Sequence, residues 1–370
     1  MIRISPDDPV FDAADSDPSV SPAEDFYRFA NGGWLDTNPV PPEYGSWGSA
    51  HELHVRNEAI LHDLLEGAAE AHGSVGSIER TVGDYFLAGM DTVRIEALGL
   101  SPIQGWLDRI DAISSIDDVR DLVVDLHRSG IGSLFSVGVL PDFDDPQANL
   151  LYLGQGGIGL PDRDYYLRDD DQSAGLLEAY RTHIDTMFTL ASLDAGAAGD
   201  SVIAIESAIA KESYTNVQMR DVELTTNRHG TAAASDLMPL FGLRAYLAAI
   251  GAGDETEFNV DNVGLYPALD AMLESVSLDD WRTYFTWHLL RATASSLTED
   301  IEKESFEFYG RTLGGQQKQK ERWQRVLAAG TADIGQLISQ LYVAENFAPE
   351  AKREMEQLVE FLLVAMRQRL

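Results

Sequence analysis

Apolar residues recur at i, i+3, i+4 and i+7 through most of this chain, a period that commits it to packed helices. From Ser49 to about Ala71, the residues Leu53, Ile60, Leu61, Leu64 and Leu65 share one stripe, and Ser49 with Glu52 has the spacing of a capping box. The same period predicts helices near 76–89, 102–113, 116–129, 173–193, 200–214, 279–294, 316–329 and 332–346. Asp25 to Trp34 reads as a short amphipathic turn closed by Gly32-Gly33. One β unit interrupts the helices. Ser133–Leu140 and Ala148–Leu153 carry strand-type residues, and the turn-rich PDFDDPQ between them makes a hairpin. A weaker strand patch lies at Glu257–Val260. The expected class is mainly α with a small β-hairpin component.

The last helix stands apart. Met355, Leu358, Val359, Leu362, Met366 and Leu370 keep helical spacing to the final residue, with no Gly, Asn or Pro stop signal. Two readings stay open: a frayed terminal helix, or a chain cut in mid-architecture.

Charge excludes whole classes of partner. Asp and Glu number 61 against 27 Lys and Arg, a formal net charge of -34. Nucleic acid needs a basic footprint, and anionic membrane surfaces repel this one. The acids are spread along the length, which suits a salt-rich cytoplasm where screening shrinks self-repulsion. No apolar run reaches the roughly 18 residues of a membrane span, and the opening residues show no secretory pattern, so a cytoplasmic location is expected. The absence of cysteine rules out disulfides, thiolate zinc sites and cysteine nucleophiles.

Motifs that could carry chemistry fall short one by one. His51-Glu52-Leu53-His54 invites comparison with HExxH, but that zinc helix needs histidines at i and i+4, and Val55 occupies the fourth position. His62, two turns on, does not repair the spacing, and ordinary helix histidines are expected. Gly154-Gln155-Gly156-Gly157-Ile158-Gly159 matches G-x-G-x-x-G after a strand. Leu160-Pro161-Asp162 follows as turn chemistry, so a tight glycine loop is the reading rather than a dinucleotide site. Asp142–Asp145 and Asp169–Asp171 lack the pattern of a calcium loop and read as solvated carboxylates. No catalytic and no metal-ligating residue is assigned, and no cofactor is expected in this chain.

Several segments, in order, resemble the neprilysin and endothelin-converting-enzyme family of zinc metallopeptidases. They begin with Asp25-Phe26-Tyr27-Arg28-Phe29-Ala30-Asn31-Gly32-Gly33-Trp34-Leu35, then Pro41 to Gly48 leading to Arg56-Asn57-Glu58. The most specific is Gly159-Leu160-Pro161-Asp162-Arg163-Asp164-Tyr165-Tyr166. Glu206 with Ala210, Arg220-Asp221, Asn227, Phe308-Tyr309-Gly310, Arg322-Trp323 and Leu341-Tyr342-Val343 with Phe347 complete it. The likeness runs from about Asp17 to about Arg369 and covers only the amino-terminal half of the family pattern.

That resemblance implies the helical lid lobe of a two-lobed zinc metallopeptidase, a chamber wall that admits peptides and excludes folded proteins. Residues 1–48 are expected to pack on a catalytic lobe absent from this chain, and 49–370 to form the lid domain, ending in a truncated helix. In the complete enzyme, zinc-activated water with a glutamate base would cleave peptides. The zinc, the HExxH helix and the downstream glutamate would belong to that other half, in the same or a separate chain. Ser46 occupies the place of an arginine that holds the substrate carboxylate in animal members, so that role is not carried over. Trp34, Tyr165 and Tyr166 are expected as core aromatics, and Arg163 as an ion pair with Asp162 or Asp164 ordering the glycine loop. The alternative is a stand-alone, non-catalytic helical module that binds peptides or complements a separate catalytic half.

Overall fold

The computed structural model describes residues 12–369; Leu370 and the first eleven residues of the expected 1–48 segment lie outside them. In chain order the α-helices are α1 (Phe26–Thr37), α2 (Ser49–Ala71), α3 (Ile78–Met90), α4 (Thr92–Leu98), α5 (Gln104–Asp111) and α6 (Ile116–Arg128). Strands β1 (Phe135–Pro141) and β2 (Asn149–Gln155) precede α7 (Asp164–Leu167), α8 (Asp171–Leu190), α9 (Ala198–Glu212) and α10 (Val222–Thr225). Then come β3 (Arg228–Gly230), α11 (Ala234–Leu237), α12 (Leu243–Leu247), β4 (Glu257–Val260), α13 (Leu265–Ser275), α14 (Leu278–Thr293) and α15 (Glu299–Ser305). A π-helical stretch, Phe306–Leu313, leads to α16 (Arg322–Asn346) and α17 (Pro349–Arg369).

The chain divides into two compact units: residues up to Arg94 together with those from Tyr309 onward, and Ile95–Phe308 between them. In the first unit α2 and α3 pack on α16. Leu65, Ala68, Val82, Phe86, Val326, Leu327 and Ile338 form its core, with Leu61, Tyr85, Trp323 and Leu337 around it. Its α1 is a full helix N-capped by Asp25, whose side chain accepts from Arg28 N. The glycines therefore do not close a turn at Trp34. A Cβ on Gly33 would sit 1.9 Å from Ala14 O, so the glycine lets the Ala13–Asp15 turn cross the helix. The capping box at Ser49 is likewise not formed, because Ser49 is already helical and Gly48 is the N-cap. The two helices expected at 316–329 and 332–346 are joined in α16, which is broken only at Ile334 (φ -130°, ψ 24°).

The second unit holds the large aromatic core. Trp281, Trp287, Tyr180, Tyr246, Tyr266, Tyr284, Phe135, Phe241 and Phe258 are all fully buried there. Its sheet runs β1-β2-β4-β3, antiparallel in the hairpin, parallel from β2 to β4, and antiparallel again to β3. The hairpin register sets Val137 opposite Leu153 and Val139 opposite Leu151. The fold is mainly helical with a small mixed sheet. Among the described residues, no helix is long and apolar enough to cross a membrane.

Candidate functional site

A densely bonded polar site of the second unit is built around Glu206, on the inner face of α9 and 0% exposed. A carboxylate there must be satisfied by donors, and they converge from two other elements, with an imidazole close by on a third. Tyr166, on α7, donates its Oη–H to Glu206 Oε2 at 2.7 Å. Tyr180, on α8, donates to the same oxygen at 3.0 Å. Each hydroxyl accepts in turn: Tyr166 from the backbone N–H of Gly159 (3.1 Å) and Leu160 (2.9 Å), Tyr180 from Trp287 Nε1 (2.8 Å). His288 Nε2, on α14, lies 3.0 Å from Glu206 Oε1. Chains of donors all pointing at one acceptor polarise one another.

This network answers what the glycine run is for. Gly157 has φ +76°, and a Cβ there would stand 2.5 Å from Leu134 O. Its carbonyl accepts from Tyr284 Oη at 2.8 Å, and that hydroxyl accepts from Leu134 N. A Cβ on Gly159 would fall 1.9 Å from Tyr180 Oη. The loop is packed against side chains, and the N–H groups of Gly159 and Leu160 are already used. No helix opens at Gly159, since α7 starts at Asp164. Neither of these two N–H groups is left to cradle a phosphate.

The motif residues separate into distinct roles. Tyr166 is buried, Trp34 and Tyr165 are half-buried, and Pro161 is exposed. Arg163 forms no ion pair with its neighbours. Its Nη1 donates to Ser213 O at 2.5 Å, at the C-cap of α9, where a cation meets the negative end of the helix dipole. Asp162 instead accepts from Asp164 N (2.8 Å) and Asn216 Nδ2 (2.9 Å). The acid runs are not simply solvated either. Asp142 is buried and bonded to Arg228, which holds its carboxyl below the ordinary value, and Asp170 caps α8.

In the first unit, Ser46 is exposed in the turn before α2. Beside it Tyr44, Trp47 and His51 form an aromatic stack, with Tyr44 and Trp47 centroids 4.9 Å apart. Lys320 Nζ stands 4.7 Å from the Tyr44 ring and bonds buried Glu58 at 3.1 Å; His54 Nε2 approaches the same Glu58 oxygen at 3.1 Å. His51 and His54 are thus absorbed by packing and by Glu58. Pro42 O accepts from the N–H of both Gln317 and Lys318 at 2.8 Å, a link between distant segments that periodicity cannot show. Among the described residues, one group of three candidate metal ligands occurs, His62, Asp63 and Glu66. It offers one imidazole, stacked on Trp323 at 4.1 Å, and two exposed carboxylates. That set does not fit a peptidase zinc site, which takes two histidines and a carboxylate.

Two histidines give the second unit a pH signature. His127 Nε2 lies 2.9 Å from Ser133 O, a pure acceptor, so Nε2 carries the proton and Nδ1 accepts from Tyr246 Oη at 2.6 Å. Burial pushes both His127 and His288 below the usual imidazole value. The unfolded chain takes up protons near pH 6.5 while the native one resists, so this contribution is full above about pH 6.5 and declines below it. Burial pushes the Asp261 carboxyl up, which acts in the opposite sense at lower pH, as does relief of acidic self-repulsion. The test is therefore a difference. Between pH 8 and 5.5, His127→Gln should lose less stability than the parent on urea unfolding; parallel pH profiles would refute the assignment.

Comparison with known proteins gives this architecture its family. The amino-terminal model of peptidase family M13 matches residues 22–370. Rat endothelin-converting enzyme 1 is 25% identical over 362 residues, covering 93% of this chain and 46% of that protein. Mouse endothelin-converting enzyme-like 1 is 26% identical over 381 residues, covering 97% and 48%. The inhibitor-bound zinc metalloprotease Zmp1 of Mycobacterium tuberculosis superposes with a TM-score of 0.88 at 31% identity, over 95% of this chain and 53% of that one. PepO from Lactobacillus rhamnosis shares the fold at a TM-score of 0.75 and 20% identity. The chain spans about half the length of the relatives it matches. It belongs to peptidase family M13, and what it carries is that family's amino-terminal half.

Proposed function

We propose that this chain is the non-catalytic half of a zinc metallopeptidase that hydrolyses peptides, working only with a second half that supplies the zinc site. The observation that carries the reading is α17. From Leu358 to Met366 only Glu360 is polar, so this stretch of the helix is apolar on nearly every face, yet no residue of α17 is buried. A helical stretch apolar all round belongs inside a larger body. Leaving Leu358, Phe361, Leu362, Val364 and Met366 in water is unfavourable, a cost that a further polypeptide packed around them would remove.

The division into units supports a boundary for each role. Residues up to Arg94 and from Tyr309 share one unit that contains α17, and we assign this unit to the body the second half completes. Residues 95–308, with their own aromatic core, serve as the lid and chamber wall that restrict access to small peptides. A stand-alone module covered by a separately encoded catalytic half rests on the same helix. The dispersed acidic surface supports a cytoplasm rich in salt as the setting.

The test uses the chain as it is. The pure 370-residue protein should show no zinc-dependent cleavage of a fluorogenic peptide, and α17 should exchange its amide hydrogens fast. Adding an HExxH-bearing second half should slow exchange in α17 and restore turnover. Zinc-dependent turnover by this chain alone would overturn the proposal.

A further inference from the structure

One edge of the small sheet is bare in a way edges rarely are. β1 ends the strand order, so one side of its backbone has no ladder partner. Among the described residues, no backbone bond from outside the sheet reaches residues 136–140. Proteins normally blunt such an edge with charge, proline, a bulge or brevity. β1 has seven residues, and its only proline, Pro141, comes last. From Ser133 to Pro141 there is no charged side chain, in a chain where 24% of residues are charged. Val139 is 64% exposed and Leu140 51%.

The register shows what the edge could accept. Val139 stands opposite buried Leu151, and Val137 opposite buried Leu153, so these valines continue the sheet's inner face up to its rim. An added strand would place alternate side chains beside them and extend that face. The hairpin turn next to it is acidic. Asp142 is committed to Arg228, while Asp144 is exposed and only 3.5 Å from the same guanidinium, and Asp145 is exposed. A net charge of -34 opposes acidic peptides, and opposes a second copy of this chain meeting edge to edge.

We propose that the free edge of β1 binds an extended peptide by strand addition, with apolar side chains at alternate positions and a basic end at the Asp144–Asp145 turn. Backbone bonds supply the affinity and Val137 and Val139 supply the side-chain contact. The inference needs only β1 and the acidic turn that follows it, and it does not rest on the proposed function.

The experiment measures fluorescence anisotropy of a labelled eight-residue peptide alternating valine and threonine and ending in Lys-Arg. Two further versions are N-methylated at alternate residues, one in each register. Strand addition uses one edge of the peptide, so methylation in one register should weaken binding roughly tenfold or more while the other register is tolerated. Val139→Asp should also weaken it roughly tenfold, although the new carboxylate attracts a basic peptide. Because Val139 is exposed, that variant should unfold at the parent's midpoint. Equal binding by both methylated peptides would overturn the proposal, and so would tighter binding by Val139→Asp. A concentration-dependent dimer that Val139→Asp dissolves would assign the edge to a second copy of this chain instead.

Discussion

Replacing Glu206 with alanine is expected to cost about 3–5 kcal/mol of unfolding free energy, the largest effect of any single polar substitution in the second unit. The change strips the shared acceptor from Tyr166 Oη and Tyr180 Oη and removes the carboxylate beside His288 Nε2. Each orphaned buried donor costs about 1–3 kcal/mol, and the sum is held down because hydroxyls can turn and water can enter. For a unit of this size the loss corresponds to a fall of roughly 6–20 °C in Tm. Glu206→Gln keeps the volume and one acceptor oxygen but sets an amide N–H among donors, so its cost should be smaller, about 1–3 kcal/mol. Trp281 and Trp287 are fully buried in the same unit and report its unfolding by fluorescence. An alanine variant within about 1 kcal/mol of the parent would mean that Glu206 is not the shared acceptor.

Gly159→Ala comes next, and its cause is space rather than backbone conformation. The added Cβ would lie 1.9 Å from Tyr180 Oη, 2.9 Å from its Cζ and 3.2 Å from Glu206 Oε1. Overpacking of a buried site costs about 1–3 kcal/mol and sometimes more; here the neighbours cannot yield without breaking their bonds to Glu206 and Trp287. In a Tyr180→Phe background the nearest clash disappears while the Cζ contact remains. The alanine should then cost less, with an interaction energy of about 0.5–3 kcal/mol between the two changes. Strict additivity would show that the loop and the tyrosine do not share one network.

The helical frame was legible because its cause is local. Period alone placed α2, α6, α8, α9 and α14 within a few residues, and the strand residues with their turn placed the hairpin. What sequence pattern missed is short or irregular. β3 has three residues, and α13 begins Leu265-Tyr266-Pro267, where proline at the third position disguises a start that it tolerates. The Glu206 site was visible only as a spacing shared with a family. Its donors come from Tyr166 and Tyr180, with His288 close by, brought together by packing rather than by any repeat. Arg163 shows the reverse error: adjacent opposite charges suggested a pair, but a helix C-terminus fifty residues on was the better acceptor. The second half is implied by the family resemblance alone, and no periodicity could say what would cover the unburied α17.

The core made by α2, α3 and α16 also sets an order of events at the ribosome. Leu65, Val82 and Phe86 emerge early, while Val326, Leu327 and Ile338 are still more than two hundred codons away. At about 5–20 residues per second, those early apolar faces wait roughly 10–50 s for their counterparts. Residues 95–308 are contiguous and can fold as they appear. The α2–α3 face is therefore made long before the helix that buries it, and in that interval it is a natural client for a holding chaperone.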